Sequence, residues 1–319
     1  MPRRSPLPAR HGLGAAWVRT PDRQARPGAP ELSWPTMANW LRHKLPEHVD
    51  VDALVSEGRF VYDDGRAVGD EDPYLPHTFV WFHRDLRAEV EVPGDLVVVH
   101  RDERILVVDK PAFLSTIPRG KHVRQSVVVR LRHELGLPEL SPLHRLDRVT
   151  SGLLLMATER RWRGPYQVMF EHGTVHKTYR ALAPWRPDLT LPVTVRNHIQ
   201  KTRGTWQAEV VPDAPVNAET LVQLESRMGD LAVYRLTPRT GRTHQLRLHL
   251  SGLGIPIEGD PLYPVVRETS IDDFSRPLQL LASELDFVDP VDGTSRNFVS
   301  ERQLPLIAAG SSDAGGVSR

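Results

Sequence analysis

The spacing of apolar residues changes several times along the chain, and each change predicts a different element. Trp40–Leu45 and Val51–Val55 repeat at the helical period, and Gly58–Tyr62 followed by the Asp64-Gly65 turn reads as a hairpin. Asp95–His100 and Arg104–Asp109 are strand-like runs, the second closed by Pro111. Ser126 stands where a cap belongs for a helix with Val128, Leu131 and Leu135 on one face, and Gly136 and Pro138 stop it. The unbroken apolar run Gly152–Ala157 predicts a buried strand, and Tyr166–Phe170 a short helix closed by Gly173. In the strand predicted over Thr174–Ala183, the two-residue period puts Val175, Lys177, Tyr179 and Ala181 on one face. Trp206–Val211, Thr220–Glu225, Leu231–Thr237 and Gln279–Leu285 are further strands. Thr243 precedes a helix with Leu246, Leu250 and Leu253 on its buried stripe and Gly254 at its end. Many strands with few crossover helices predict an α+β fold with a largely antiparallel sheet.

At 319 residues the chain is long for one core, which favours a main domain with smaller appendages. Residues 1–36, rich in Pro, Arg and Gly and without an apolar period, read as a disordered tail. Residues 37–98 form a small α+β unit, 99–308 the main domain, and 309–319 a flexible tail. The small unit's element order resembles the alpha-L RNA-binding module, and a plain structural appendage accounts for it equally well. No apolar run approaches the roughly 18 residues of a spanning helix, and no secretory signal opens the chain, so the expected address is the cytoplasm.

Charge sharpens the picture. The formal net charge is only +1, yet residues 101–250 carry 24 basic against 14 acidic side chains, while 31–100 carry 6 against 14 and 251–319 carry 5 against 11. A basic middle between acidic flanks is the pattern of a polyanion-binding surface. The chain has no cysteine, which excludes disulfides, thiol nucleophiles, iron–sulfur clusters and Cys-ligated zinc. His83-Arg84-Asp85-Leu86 matches a kinase catalytic loop but lacks the partner Asn and any DFG. His172 and His176 have the spacing of a zinc helix, but Gly173 lies between them and the segment runs into a strand; no metal site is predicted.

Three clusters carry the candidate chemistry. Leu143-His144-Arg145-Leu146-Asp147-Arg148-Val149-Thr150-Ser151-Gly152 sets one carboxylate between two arginines at the rim of a buried strand, an arrangement that favours the ionised, nucleophilic form. His176-Lys177-Thr178-Tyr179-Arg180 puts a cation and an aromatic on one strand face, where the ring serves either core packing or a nucleobase. Thr240-Gly241-Arg242-Thr243-His244-Gln245-Leu246-Arg247 opens a helix with polar groups at its positive end, a favourable setting for phosphate.

These segments, followed by GIPIEGDPLY (254–263) and preceded by RILVVDKPAFLSTIP (104–118), resemble the Rlu-type (RluA-like) RNA pseudouridine synthase family over roughly residues 95–290. The resemblance implies a pseudouridine synthase fold: a largely antiparallel mixed sheet flanked by helices, with a central catalytic cleft. It implies isomerisation of uridine in ribosomal or transfer RNA, without metal or other cofactor, by a monomer. By the same resemblance Asp147 would be the catalytic aspartate, Tyr179 the ring that stacks on the uracil, and Arg247 the partner that holds Asp147 charged. Arg145 would fill the space left by the flipped nucleotide, and His144, Lys177, Arg242 and His244 would line the RNA path. Phe113 stands where the family usually has Gly, Asp109 where Asn is common, and Val149 where an acidic residue is frequent; these departures bear on substrate choice. Two other readings compete. A catalytically silent RNA-binding or ribosome-assembly factor would have no need of Asp147, and a nucleoside hydrolase would have no need of the basic tract.

Overall fold

A computed structural model describes residues 5–22, 34–86, 88–120 and 122–307. The chain divides into two units, Met1–Ala88 and Glu89–Arg319. In the first, β1 (Ala16–Arg19), α1 (Met37–Lys44), α2 (Val51–Ser56), β2 (Val61–Tyr62) and β3 (Phe79–Phe82) surround a core of Trp40, Leu41, Phe60, Tyr74 and Val80. Thr36 and Asp50 cap the two helices by accepting the amide protons of Asn39 and Ala53. The expected disorder of residues 1–36 gives way at β1. There Trp17 pairs with Trp81 across an antiparallel ladder, and the Thr20 hydroxyl donates to the Leu75 carbonyl at 2.6 Å. Its three apolar residues, Ala16, Trp17 and Val18, are too few to show through the Pro/Arg/Gly flanks. Residues 1–4 and 23–33 of the expected tail, and all of 309–319, lie outside the described residues.

The unit boundary falls ten residues before the one read from sequence. The reason is the Glu89 carboxylate, which accepts the amide protons of Val123, Arg124 and Gln125 at 2.8–3.1 Å, while Val92 is buried in the second unit's core. That unit runs β4 (Val97–Arg101), β5 (Ile105–Lys110), α3 (Val127–Glu134), β6 (Ser141–Pro142), β7 (Ser151–Ala157), α4 (Arg160–Glu171), β8 (His176–Pro184), β9 (Val193–Asn197), β10 (Ile199–Gln200), β11 (Glu209–Val210), β12 (Ala218–Met228), β13 (Leu231–Pro238), α5 (Gln245–Gly252), β14 (Leu280–Val288) and β15 (Ser295–Val299). Its main sheet has the order β4-β5-β7-β14-β8-β13-β12-β9, with β15 beside β14 and β6 beside β7.

Every pair in this sheet is antiparallel except β7 with β14. That parallel contact is short, Leu281 opposite Ser151 and Ala282 opposite Gly152. Gly152 makes it possible. It sits at φ +109°, and a Cβ there would lie 2.6 Å from the Ala282 amide nitrogen and closer still to its carbonyl oxygen. Because Ala282 also pairs with Tyr179, one row across β7, β14 and β8 sets Tyr179 two strand spacings, about 10 Å, from the start of the strand that follows Asp147.

Two predicted caps are built differently. Ser126 precedes α3, but its hydroxyl donates back to the Val123 carbonyl at 2.8 Å. At α5 the cap position is His244, in the left-handed region at φ +59°, rather than Thr243. The face read along Thr174–Ala183 also splits. Tyr179 and Ala181 enter the core under α5, whereas Val175 precedes β8 and packs with Leu153 and Leu155 on the other side of the sheet.

Candidate active site

Asp147 closes a turn in which the Thr150 amide donates to the Asp147 carbonyl at 3.1 Å, immediately before β7. Thr116 pins this turn from the side, its hydroxyl donating to the Leu146 carbonyl at 2.8 Å. Beneath it, the buried Lys110 ammonium donates to the carbonyls of Pro111, Leu114 and Arg148 at 2.8–3.2 Å. The turn is therefore a rigid mount. The Asp147 side chain is 29% exposed while its partner Arg247, on α5, is 2% exposed; the Arg247 Nη1–H donates to Asp147 Oδ2 at 3.2 Å.

The guanidinium is itself held from behind. Its Nε and Nη2 donate to the two oxygens of Asp260 at 2.8 and 2.6 Å, and Asp260 is 1% exposed. Asp260 Oδ1 also accepts the amide protons of Leu262 and Tyr263 at 2.8 and 3.1 Å. Burial works against the charge on Arg247, but the bond and charge of Asp260, joined by Asp147, outweigh it and raise its pKa. Gly259 at φ +73° lets the chain pass the Pro277 carbonyl at that point, where a Cβ would clash.

Tyr179 lies in the same core cluster as Leu146 and Leu246, the chain neighbours of Asp147 and Arg247. Burial pushes its phenol pKa up, and the negative charge of Asp147 adds to the effect, so the ring remains neutral. His244 Nε2 lies 3.9 Å from Asp147 Oδ2, and its Nδ1 is 3.1 Å from the Tyr263 hydroxyl; burial lowers its pKa against the pull of Asp147. Among the described residues the hydrogen bond and ion pairs of Asp147 fall on Oδ2, and the side chain keeps 29% of its surface exposed.

A family model described as RNA pseudouridylate synthase matches residues 104–252. The dual-specificity RNA pseudouridine synthase RluA of Vibrio parahaemolyticus is 32% identical over 211 residues, covering 60% of this chain and 78% of that protein. Its counterpart in Vibrio cholerae is also 32% identical, covering 64% and 82%. Among solved structures, human RNA Pseudouridylate Synthase Domain Containing 1 matches at 26% identity and a TM-score of 0.50, covering 66% of this chain and 86% of that one. The chain belongs to the RluA-like RNA pseudouridine synthases. It is an isomerase that converts uridine to pseudouridine in RNA.

In this synthase the structure brings together Asp147, Tyr179, Arg247 and His244. Lys177 stands near the turn before α5: its Nζ is 3.8 Å from where a Cβ on Gly241 would sit and 5.9 Å from the centre of the Phe170 ring. Arg145 is exposed, and no described carboxylate pairs with it. Arg242 is also exposed, its Nε donating to the Asn217 carbonyl at 3.1 Å. His144 is tied inward. Its Nε2 accepts the Leu155 amide proton at 3.0 Å and its ring stacks on Phe170 at 5.1 Å, so the imidazole tethers the loop to β7.

Burial, with Lys177 adding to it, holds the His144 pKa down to about 3, and burial holds His249 down to about 4. An unfolded histidine titrates near pH 6.5. Between these values the unfolded chain binds protons that the folded chain does not, so stability is lost as the pH falls. Each histidine contributes a slope of about 1.4 kcal/mol per pH unit near pH 5. Urea unfolding followed from pH 7 down to 4.5 is expected to steepen to about twice that slope near pH 5 for the pair, and His144→Gln to remove about half of it.

Asp260 and Lys110 were not singled out in the sequence. Both lie within the resembling segments, in Gly259-Asp260-Pro261 and Lys110-Pro111, but a buried ion pair leaves no periodic signature. Phe113 has φ +67°, which accounts for the Gly that the family usually has there. Its ring is buried 5.3 Å from Phe274, with the Arg148 guanidinium 5.5 Å over it.

Proposed function

We propose that Asp147 is the residue that acts on the target nucleotide, with Tyr179 stacked on the uracil and Arg247 holding the carboxylate in place. The observation that carries this assignment is a partly exposed carboxylate, 29% accessible, with one oxygen fixed by a guanidinium that is itself 2% exposed. A uridine flipped from its stack, at a cost of a few kcal/mol, meets that carboxylate and the Tyr179 face. Asp147 assists cleavage of the C1′–N1 bond. The detached uracil turns, C5 bonds to C1′, the C5 proton leaves and N1 takes up a proton. Confinement between Tyr179 and the Asp147 turn makes recapture faster than escape.

The substrate we propose is structured ribosomal or transfer RNA, bound by a monomer in the cytoplasm through Arg145, Lys177, Arg242 and His244. The basic excess over residues 101–250 supports an RNA partner, and the relatives' names favour an enzyme over a silent binding factor. The test is tritium release from cellular RNA carrying tritium at uridine C5, fractionated into ribosomal and transfer pools. Release from one pool assigns the substrate, and release from neither refutes the reading.

A further inference from the structure

The hairpin joining β10 to β11 takes no part in the chemistry described above. Between residues 198 and 208 it holds two cations, Lys201 and Arg203, and no acidic residue. It also carries Trp206, 76% exposed, the most exposed large hydrophobic side chain among the described residues. The sequence pattern places Trp206 in a strand, but β11 is only Glu209–Val210, and Trp206 belongs to the turn.

A single exposed indole needs no explanation by itself. This one has a built support. The Tyr263 hydroxyl accepts the Ala208 amide proton at 2.7 Å and donates to the Ala208 carbonyl at 3.0 Å, and the Gln207 side-chain amide donates to the Leu262 carbonyl. The hairpin thus hangs from the segment that begins at Asp260, the residue that fixes Arg247. Gln207 is used inward on that support while its neighbour Trp206 is left in solvent. Lys201 closes the turn by donating to Thr205, and its charge reaches the site, where it helps lower the pKa of His244. Arg203 is exposed, with no carboxylate partner among the described residues. Contacts from Asp147 through His244 and Tyr263 to Ala208 bound the distance from the carboxylate to the Trp206 Cα at about 18 Å. Tyr179 is the ring assigned to the target base, and a separation within this bound is near enough for a neighbour on the same strand.

We propose that Trp206 is a stacking platform for an unpaired nucleobase flanking the target uridine, with Lys201 and Arg203 on the adjoining phosphates. The inference rests on the RNA isomerase reading and adds a selection rule: the enzyme takes uridines whose neighbours are free to unstack. Stacking on an aromatic ring tolerates any base and depends little on salt, whereas phosphate contacts set the salt dependence.

The probe is a mixed-sequence single-stranded RNA 20-mer, with its fully paired duplex as control, titrated by fluorescence anisotropy at several salt concentrations. Trp206→Ala is expected to weaken single-strand binding about tenfold with an unaltered salt slope, and Trp206→Tyr to restore most of it. The duplex offers no free base, so its affinity should not respond to either change. Arg203→Ala should flatten the salt slope by about 0.7. Wild-type single-strand affinity in Trp206→Ala, or an equal loss on the duplex, overturns the proposal. Tritium release by the wild-type protein is scored separately. Release together with unchanged Trp206→Ala affinity defeats only the stacking role, while no release defeats the catalytic reading whatever Trp206 does.

Discussion

Asp147→Asn is expected to reduce tritium release from uridine-labelled RNA by roughly 10⁴-fold or more, the scale seen when an enzyme loses the group that attacks or accepts a proton. The amide keeps the shape of the side chain and removes its charge. The protein should tolerate the change, because Arg247 keeps its bidentate pair with Asp260 and no buried charge is left alone. The turn is also held independently by Thr116, Lys110 and the Thr150 amide. Affinity for RNA, supplied by cations elsewhere on the surface, should stay within a few-fold of wild type. The result is checked by single-turnover release at saturating enzyme, alongside RNA binding and urea unfolding. Turnover within tenfold of wild type would remove Asp147 from the role given to it.

The candidate site was legible as a set of residues because its parts lie in contiguous motifs. Asp147, Tyr179 and Arg247 each sit in a short cluster whose residue types already suggest an anion, a ring and a cation, and the sheet register gathers them. The main strands were readable as well, since β7 is buried on both faces and β13 alternates from Tyr234 onward. What escaped depends on tertiary contact. β1 is a strand only because β3 lies beside it. β9 and β15 alternate half-buried with exposed residues and carry little apolar signal. His144 has the composition of an RNA contact but is committed to the Leu155 amide and the Phe170 ring. The cap of α5 moved by one residue because the chain turns through a left-handed His244, which local propensity disfavours and the surrounding bonds impose.

Asp260→Asn tests how the charge of Arg247 is shared. In the wild type a guanidinium 2% exposed faces two carboxylates, Asp260 through two bonds and Asp147 through one. Removing the buried anion leaves Asp147 as the only described negative partner, and it is the more exposed of the two and the one proposed to act on the nucleotide. Breaking a buried pair from one side costs about 3–5 kcal/mol, so urea unfolding should show a loss of that order. Release of tritium should also fall, by about 10²-fold even at saturating folded enzyme, because the guanidinium is no longer anchored behind the reactive carboxylate. A purely structural Asp260 would lower stability and leave that rate untouched. The double variant Asp147→Asn/Asp260→Asn separates the contributions further. Each single change leaves Arg247 one anion and the pair leaves none, so the stability losses should exceed additivity by about 1–3 kcal/mol. Strict additivity would mean that the two carboxylates do not share the guanidinium, and that Arg247 does not couple the core to the reacting oxygen.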